Sequence, residues 1–494
     1  MQSILITVYK RLLADVREIS GVSLDAPDEI TYSWVLKEGP ALDKQILMFL
    51  ENGGVEPSIP EWLKPLWDKF ILTKDGDVLR YIRQLLVFCY KAEYEPTNEQ
   101  LKEAQASFEE TDLGVGVWDS MFDSRVPSPT LRTARQIVTS VVRNIARKGL
   151  FKNILPSHGP GAVFPSRKPW EKSKFLTLYS SIQSYYPYDQ FFCGLHSFWS
   201  DVMVDGRNGE LKEEDDIVAS LTAVPKDSRG PRLICVHPAE AIWVQQGLRL
   251  ILEDAITNYP LIRGKINFTD QTVNGALAMS SSVSRELVTL DLKEASDRIS
   301  SKLVHYLFGE TVNGFISCCR ATKVKLLDGR VITLKKWAPM GNCLTFPVQS
   351  LIFWAVVYSS IVSRYGESCT DIYVFGDDIL YPVKYHEGVI GGLTSCGLVP
   401  NVAKTFVKGF FRESCGVDAY NGKDVTPLRV RKQGINSTQD AVSYLDLAKR
   451  LRRAGYECCA SFIYSKLSQR YGRLPLSNNP DATGFVEYVS RDFV

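Results

Sequence analysis

The sequence predicts an α+β fold in which a small antiparallel sheet lies between largely helical flanks. Residues 372–381 form two apolar runs separated by a short polar break, a pattern typical of a β-hairpin. Residues 288–292 have the apolar character of a buried strand. Apolar residues keep helical spacing toward both ends of the chain, in residues 12–19 and again from about residue 436.

The bulk composition is that of an ordinary globular protein. The 494 residues are 45% hydrophobic and 23% charged, and the formal net charge is +2. Any nucleic-acid surface is therefore expected to be local, because the chain as a whole is not basic. Residues near the N-terminus lack the pattern of a signal peptide, and the sequence has no run of 18 or more apolar residues. We therefore expect a cytoplasmic protein without a membrane span.

Cysteine and histidine usage argues against two classes of site. The eleven cysteines include no CxxC pair, and the five histidines are scattered singly. Zinc sites and disulfide frameworks need clustered ligands or regularly spaced cysteines. Free buried thiols in a reducing compartment are the better interpretation.

The predicted hairpin carries the first chemical signal, at its tip Gly376-Asp377-Asp378. Two adjacent carboxylates repel each other, and the apolar flanks indicate that the tip is not simply a wet surface. A divalent cation at Asp377 would relieve the repulsion, since Mg²⁺ prefers carboxylate oxygen. An Asp-rich turn is the alternative for these three residues taken alone.

A further carboxylate, Asp291, lies at the end of the predicted strand 288–292. An unbalanced charge there would be costly. Paired with Asp377, Asp291 could hold two Mg²⁺ ions about 3.5–4 Å apart, the arrangement used in phosphoryl transfer. A helix is predicted to begin at Glu294, with Asp297 close enough to sense a substrate ribose. The alternative for Asp297 is an acid in a first helical turn, favoured by the helix dipole.

Other candidates lie on a basic loop and at the start of a helix. Lys226, Arg229 and Arg232 are three residues apart in a predicted loop and could grip a triphosphate, although a basic surface loop is the alternative. A second loop, bearing Gly341, precedes a long apolar helix. Thr345 and Gln349 are four residues apart on this helix and could bind a template or nucleotide, or merely mark a loop-to-helix transition.

Six stretches, in order along the chain, resemble the polymerase motifs of one family. The family is the replicase β subunit of single-stranded RNA phages, the Qβ-type leviviral RNA-dependent RNA polymerases. The similar stretches are residues 224–232 (motif F), 291–300 (motif A), 340–353 (motif B), 375–378 (motif C), 401–406 (motif D) and 411–416 (motif E). Six motifs in one chain are far more specific than any one of them.

The resemblance implies a right-hand polymerase with an antiparallel-sheet palm. Its implied divisions are a helical N-terminal region (1–115), fingers (116–286), a palm (287–425) and a thumb (426–494). It also implies that Asp291, Asp377 and Asp378 are catalytic metal ligands.

The metal ligands would hold two Mg²⁺ ions, for which Mn²⁺ can substitute. Asp297 would help to select ribonucleotides, and the three cations of the basic loop would bind the incoming triphosphate. Gly341, Thr345 and Gln349 fall in the motif B-like stretch and are nucleotide-binding candidates. Lys404 is a candidate proton donor to pyrophosphate.

The implied function is RNA-directed RNA polymerisation that replicates a phage genome by two-metal nucleotidyl transfer, without a primer. The implied partners are RNA template and product, ribonucleoside triphosphates, host elongation factors Tu and Ts, and a host ribosomal RNA-binding protein. The implied location is the cytoplasm of the infected bacterium. A reverse transcriptase, which shares the palm carboxylates, and a catalytically silent RNA-binding scaffold are the alternatives. Asp297 favours ribonucleotides over deoxyribonucleotides, and the intact acidic motifs argue against the scaffold.

Overall fold

The computed structural model describes residues 4–25, 30–124, 126–192, 211–472, 474, 476–477 and 485–486. The outer parts of the first and last predicted divisions, residues 1–3 and most of 473–494, lie outside the described residues. Helices predominate and the strands form small sheets. The α+β class predicted from the sequence is confirmed.

The α-helices are numbered in chain order. They are α1 (Ile4–Ser20), α2 (Gly39–Asn52), α3 (Lys64–Thr73), α4 (Gly76–Val87), α5 (Asn98–Asp123), α6 (Pro129–Arg147), α7 (Ser180–Gln183), α8 (Tyr188–Phe191), α9 (Ala239–Asn258), α10 (Thr272–Ser284), α11 (Ser301–Phe308), α12 (Glu310–Ser317), α13 (Thr345–Tyr365), α14 (His386–Ser395), α15 (Thr438–Arg453) and α16 (Glu457–Tyr471). Short 3₁₀ or π turns add Trp34–Glu38, Leu150–Lys152, Pro169–Glu171, Ser296–Arg298, Val383–Tyr385 and Val402–Lys404.

The strands are short. They are β1 (Thr177–Tyr179), β2 (Lys212–Glu214), β3 (Val218–Asp227), β4 (Gly230–Val236), β5 (Leu287–Leu290), β6 (Leu292–Lys293), β7 (Lys323–Lys325), β8 (Val331–Thr333), β9 (Tyr373–Phe375), β10 (Asp378–Pro382), β11 (Val399–Pro400), β12 (Phe411–Ser414), β13 (Val417–Tyr420), β14 (Lys423–Asp424), β15 (Leu476–Ser477) and β16 (Phe485–Val486). The larger sheets have the orders β4-β3-β7-β8, β5-β10-β9 and β12-β13-β14, and the remaining strands pair as β1-β2, β6-β11 and β15-β16.

The first of two hydrophobic cores surrounds α13. This helix packs against α6, α9 and α14 and against strand β9. In the described part of the chain it is the one helix long and apolar enough to cross a membrane, but 78% of its most apolar window is buried inside the protein. Burial on nearly all sides explains why the helix is apolar all round.

The second core joins the two ends of the chain. Helices α1 to α4 pack with α15, α16 and the β12-β13-β14 sheet. The Asp15 carboxylate of α1 accepts the backbone N–H groups of Cys458 and Cys459 at 2.7 and 2.8 Å, and so caps the N-terminus of α16. A cap supplied from a helix more than 400 residues away holds the two ends of the chain together.

A buried ion triad ties the second core to the β12-β13-β14 sheet. The Arg83 guanidinium on α4 donates to Asp43 on α2 at 2.9 Å and to Asp418 on β13 at 2.8 Å. All three side chains are less than a tenth exposed. Arg83 is therefore the ion-pair partner of both enclosed carboxylates, and Arg429 adds a second guanidinium 3.5 Å from Asp418.

Two local expectations from the sequence are wrong. No helix begins at Glu294, because this residue has a left-handed φ of +50°. The next α-helix, α11, begins only at Ser301, where the Ser300 hydroxyl accepts the Leu303 N–H at 2.9 Å as its N-cap. The basic stretch around Arg229 is not a loop either. It is the β3-β4 hairpin, in which Asp227 pairs with Gly230.

We expect Arg83→Met to lower the free energy of unfolding by about 3–5 kcal/mol, because it leaves the buried Asp43 carboxylate without its ion-pair partner and Asp418 with only Arg429, at 3.5 Å. Urea unfolding monitored by circular dichroism measures the change. Arg80→Met is the matched control on the same helix, since Arg80 forms a half-exposed ion pair with Asp77 at 3.2 Å. That variant should cost less than about 1 kcal/mol. Equal losses in the two variants would contradict the role of the triad.

Candidate active site

The register of the β5-β10-β9 sheet brings three carboxylates to one end. Strand β10 pairs antiparallel with β5, and Ile379 lies opposite Leu290. Continuing this register by one residue sets Asp378 beside Asp291. Strand β9 also pairs with β10, so that Asp378 lies opposite Phe375 and only Gly376 and Asp377 form the hairpin tip. The predicted hairpin is confirmed, with Asp378 as the first residue of β10 rather than a turn residue.

Gly376 is required at the hairpin tip for two reasons. Its φ is +65°, in the left-handed region, and a Cβ there would lie 2.6 Å from Cε2 of Phe346. The Phe346 ring, in the first turn of α13, also packs edge-on against Phe375 with ring centroids 5.3 Å apart. The start of the core helix therefore sets the position of the tip and of Asp377.

Asp291 is held by residues that follow β11. The Asn401 side-chain amide donates to Asp291 Oδ2 at 2.8 Å, and the Asn401 N–H donates to the Asp291 carbonyl at 2.9 Å. Lys404 Nζ lies 3.6 Å from the same Oδ2 and 3.8 Å from Glu413 Oε1. Glu413, and then Asp291, raise the pKa of Lys404. One ammonium group thus sits between two carboxylates at the edge of the acidic cluster.

The carboxylates at the sheet end are short of positive charge. Desolvation, followed by the nearby Asp377 charge, raises the pKa of Asp378 to about 7, although the Cys415 N–H donates to Asp378 Oδ2 at 3.0 Å. Asp377 is open to solvent on one side, but the protein atoms around it and the Asp291 carboxylate raise its pKa as well. The cluster holds more negative charge than its neighbours balance.

The donor set suits a hard divalent cation that is only partly coordinated by protein. Among the described residues, no group of three or more His, Cys, Asp or Glu side chains forms a ready metal cage. Mg²⁺ is usually held by one or two carboxylates, with water and substrate phosphate completing its octahedron. Carboxylate oxygens with raised pKa values at an accessible hairpin tip fit that mode of binding.

The three cations of the β3-β4 hairpin have different surroundings. Arg229 is engaged, because its guanidinium forms two hydrogen bonds to Asp227, at 3.0 and 2.8 Å, and lies over the Tyr90 ring. Lys226 and Arg232 are exposed. Desolvation and then the Arg232 charge lower the pKa of Lys226, and Arg232 also acts on Asp377. The structure therefore brings Arg232 toward the acidic cluster, places Lys226 close enough to Arg232 to feel its charge, and ties Arg229 to its own hairpin.

The tip of this hairpin is fixed to the N-terminal helical region. The Ser228 hydroxyl donates to the Leu36 carbonyl at 2.6 Å, and the Ser228 N–H donates to the Tyr90 carbonyl at 3.0 Å. Gln100 of α5 donates to the Arg229 carbonyl at 3.1 Å. These bonds bridge the two hydrophobic cores and hold the exposed cations in place.

The motif B-like residues lie where α13 begins. Gly341 has a φ of +117°, and a Cβ there would meet the Cys235 carbonyl oxygen at 2.1 Å, so its glycine is required by close backbone packing. The Thr345 hydroxyl donates to the Ala338 carbonyl at 3.1 Å. Gln349 Oε1 is buried and has no hydrogen-bond partner among the described residues. An unsatisfied buried acceptor of this kind calls for a ligand or water.

Asp297 lies in the 3₁₀ turn Ser296–Arg298, next to a lysine that the sequence did not single out. Lys336 Nζ is 3.3 Å from Asp297 Oδ1. Burial raises the pKa of Asp297, and Lys336 opposes the shift.

Sequence reasoning gave no role to Asn401, Glu413 or Lys336. Asn401 and Glu413 lie inside stretches that resemble family motifs, and this position in the sequence could have indicated that they belong to the site. Lys336 had no signal, because only the folded chain brings it to Asp297.

Comparison with known proteins places these features in one family. The sequence model of the family described as "RNA replicase, beta-chain" matches residues 205–455, about half of the chain. Similar curated proteins include the RNA-directed RNA polymerase β chain of Escherichia phage MS2, 34% identical over 42% of this chain. The corresponding subunits of Enterobacteria phage SP and of Qbeta virus strain MX1 are 35% identical over 47% and 45% of the chain.

These matches extend over part of each relative. They span 37% of the MS2 protein, 38% of the SP protein and 37% of the Qbeta protein. Among solved structures, the RNA-dependent RNA polymerase of BmCPV at elongation state aligns with 69% of this chain and 33% of its own, at 11% identity and a TM-score of 0.44.

We expect Asp378→Asn to gain stability relative to the unmodified chain as pH rises from 5 to 7.5 in metal-free buffer. Folding raises the pKa of Asp378 from 3.8 to about 7. Between these values the folded state binds more protons than the unfolded state, so stability falls as pH rises. Removing this carboxyl should remove that loss, on the order of 1–3 kcal/mol in urea unfolding with EDTA present.

Asp254→Asn is the matched control, since Asp254 is an exposed carboxylate on α9. Its pH profile should follow that of the unmodified chain. A stability difference for Asp378→Asn that stays constant across the pH range would show that Asp378 is already ionised at pH 5.

Proposed function

Because the chain belongs to the family of RNA replicase β-chains, we propose that it is an RNA-directed RNA polymerase. It would replicate a single-stranded RNA phage genome in the cytoplasm of the infected bacterium. The observation that carries this proposal is the meeting of Asp291, Asp377 and Asp378 at one end of the β5-β10-β9 sheet. That sheet would be the palm of a right-hand polymerase, with fingers in residues 116–286 and a thumb from residue 426.

Asp291, Asp377 and Asp378 would hold Mg²⁺, with Mn²⁺ as a substitute. A bound pair of these ions would supply charge stabilisation to the attacking and leaving oxygens of nucleotidyl transfer. The pKa values of Asp377 and Asp378 are raised by desolvation and then by a neighbouring carboxylate, and they support this assignment because a bound cation would offset both effects.

The cations around the cluster would bind the triphosphate. Lys226 and Arg232 are exposed, and the charge of Arg232 acts on Asp377, so these two cations would meet the phosphates first. Arg229 would join them only by exchanging Asp227 for phosphate. Lys404, between Asp291 and Glu413, would donate a proton to the departing pyrophosphate.

Residues near the ribose and base would complete the nucleotide site. Asp297 would accept a hydrogen bond from the 2′-hydroxyl, which favours ribonucleotides. Gln349 would accept a hydrogen bond from the nucleotide at its unsatisfied Oε1. The Thr345 hydroxyl donates to the Ala338 carbonyl and would accept a second hydrogen bond from the nucleotide through its remaining lone pairs. Gly341 would let the backbone of this loop approach closely.

The resemblance to leviviral replicases extends the proposal to a complex. Host elongation factors Tu and Ts and a host ribosomal RNA-binding protein would join this chain, and synthesis would start without a primer. An assay with and without these factors separates the activity of the chain from that of the complex.

We expect the purified chain, alone or with elongation factors Tu and Ts, to incorporate labelled GTP on a poly(C) template in the presence of Mg²⁺. Asp291→Asn and Asp377→Asn should each lower the rate of GTP incorporation by about 10³-fold or more, because each removes a carboxylate that would hold Mg²⁺ in position. RNA binding, measured by filter retention, should remain nearly intact.

Asp371→Asn is the matched control for these substitutions. Asp371 precedes β9 and is 66% exposed in an ion pair with Lys265, so its variant should keep full activity. Incorporation of dGTP in place of GTP would favour a reverse transcriptase. RNA binding without any product, by a folded chain supplied with host factors, would favour a silent scaffold.

Binding of Mg²⁺ should also be visible without catalysis. We expect MgCl₂ at ten times its Kd to stabilise the chain by about 1.4 kcal/mol. For a chain of this size that corresponds to a rise of about 1–2 °C in the thermal midpoint. Asp377→Asn should lose most of the rise and Asp371→Asn should keep it. The same rise in all three proteins would place the bound metal elsewhere.

A further inference from the structure

A fully buried lysine lies directly behind Asp297. The Lys336 side chain is 0% exposed, and its Nζ is 3.3 Å from Asp297 Oδ1. The same ammonium group donates to the Phe108 carbonyl at 3.1 Å and lies 3.5 Å from the centroid of the Phe108 ring. The carbonyl and the ring both come from α5, and together they stabilise the buried ammonium charge.

The backbone that carries Lys336 is held as firmly as its side chain. The Asp112 carboxylate of α5 accepts the N–H groups of Lys335 and Lys336, each at 3.0 Å. On the other side the Trp337 N–H donates to the Ile299 carbonyl at 2.7 Å, next to the turn that carries Asp297. The ammonium group is therefore presented to Asp297 from a fixed position.

Burying an ammonium group costs desolvation free energy unless a charged or polar partner compensates it. Asp297 is the one carboxylate in an ion pair with Lys336 among the described residues. Stability alone does not call for a charge here, because a well-packed apolar pair is often as stable as a buried ion pair.

The Asp297 carboxylate has one enclosed side and one accessible side. Its Oδ1 is buried, and Lys336 Nζ lies 3.3 Å from it. The side chain nevertheless keeps 23% of its surface exposed. Lys336 thus meets the carboxylate from behind and leaves the other face open to a ligand.

We propose that Lys336 is a positioning residue for ribose selection, which keeps Asp297 ionised and directs its open oxygen toward the 2′-hydroxyl of the incoming nucleotide. This inference rests on the proposed polymerase function. An ionised acceptor forms a hydrogen bond about twice as strong as a neutral one. A deoxynucleotide has no 2′-hydroxyl and cannot form this hydrogen bond. Lys336 therefore affects the preference for ribonucleotides over deoxyribonucleotides.

The test compares kcat and KM for GTP and dGTP on poly(C) in Lys336→Met and Lys336→Gln. We expect the ratio of kcat/KM for GTP to that for dGTP to fall by about three- to tenfold, mainly through a higher KM for GTP. Lys335→Met is the matched control, since Lys335 is the exposed neighbour in the same strand-like segment. That variant should keep the ratio of the unmodified chain.

A purely structural role gives a different result. It would lower kcat/KM for both nucleotides equally and leave the ratio unchanged, which overturns the inference. Lys336→Gln keeps polar atoms at the site, and its thermal midpoint shows whether the chain is folded. In an Asp297→Asn background, Lys336→Gln should cause no further loss of selectivity, and an additional loss would also overturn it. A folded, unmodified chain that makes no RNA even with the host factors would instead refute the proposed function on which the inference depends.

Discussion

The repulsion among carboxylates at one end of the β5-β10-β9 sheet is the constraint that organises the rest of the site. Antiparallel register sets Asp291 beside Asp378, and the two-residue tip adds Asp377. A fold that only needed stability would separate these charges. Instead, the surrounding segments compensate the carboxylates one at a time. Lys404 lies 3.6 Å from Asp291, and the Cys415 N–H lies 3.0 Å from Asp378. The positive charge that the cluster still lacks is what the proposed metal ions would supply.

Lys404 and Arg232, the cations that compensate this acidic cluster, come from separate parts of the chain. Their placement therefore depends on how the two hydrophobic cores are joined. The β3-β4 hairpin belongs to the first core, yet Ser228 at its tip bonds to the carbonyls of Leu36 and Tyr90 in the second. The β12-β13-β14 sheet, which carries Glu413, is tied to the second core through Arg83. The acidic cluster therefore lies where both cores contribute, and neither core alone would place Lys404 and Arg232 around it.

Periodicity in the sequence predicts the elements of this site better than their connections. The β9-β10 hairpin and the long helix α13 follow from local apolar patterns. The turn at Glu294 does not, because its left-handed backbone is held by bonds from α5, in which Ser107 and Thr111 donate to its carboxylate at 3.2 and 2.9 Å. Arg229 illustrates the same limit, since its spacing does not show that Asp227 binds its guanidinium or that Tyr90, remote in sequence, stacks against it. The roles expected for the site residues came from the order of the six motif-like stretches along the chain, because a local pattern such as Gly-Asp-Asp does not by itself define a chemical role.

Helix α5 shows how a segment without any recognisable motif can enter the chemistry. Its Phe108 and Asp112 hold the segment around Lys336, and Ser107 and Thr111 hold Glu294 at the start of the turn that carries Asp297. One helix thus fixes both the Asp297 carboxylate and its counter-ion, and the distance between them is set outside the sheet that carries Asp378. In the proposed polymerase, ribose selection and metal binding would then be mechanically separate, because the geometry of Asp297 depends on α5 while the positions of Asp291 and Asp378 depend on the register of β5 and β10.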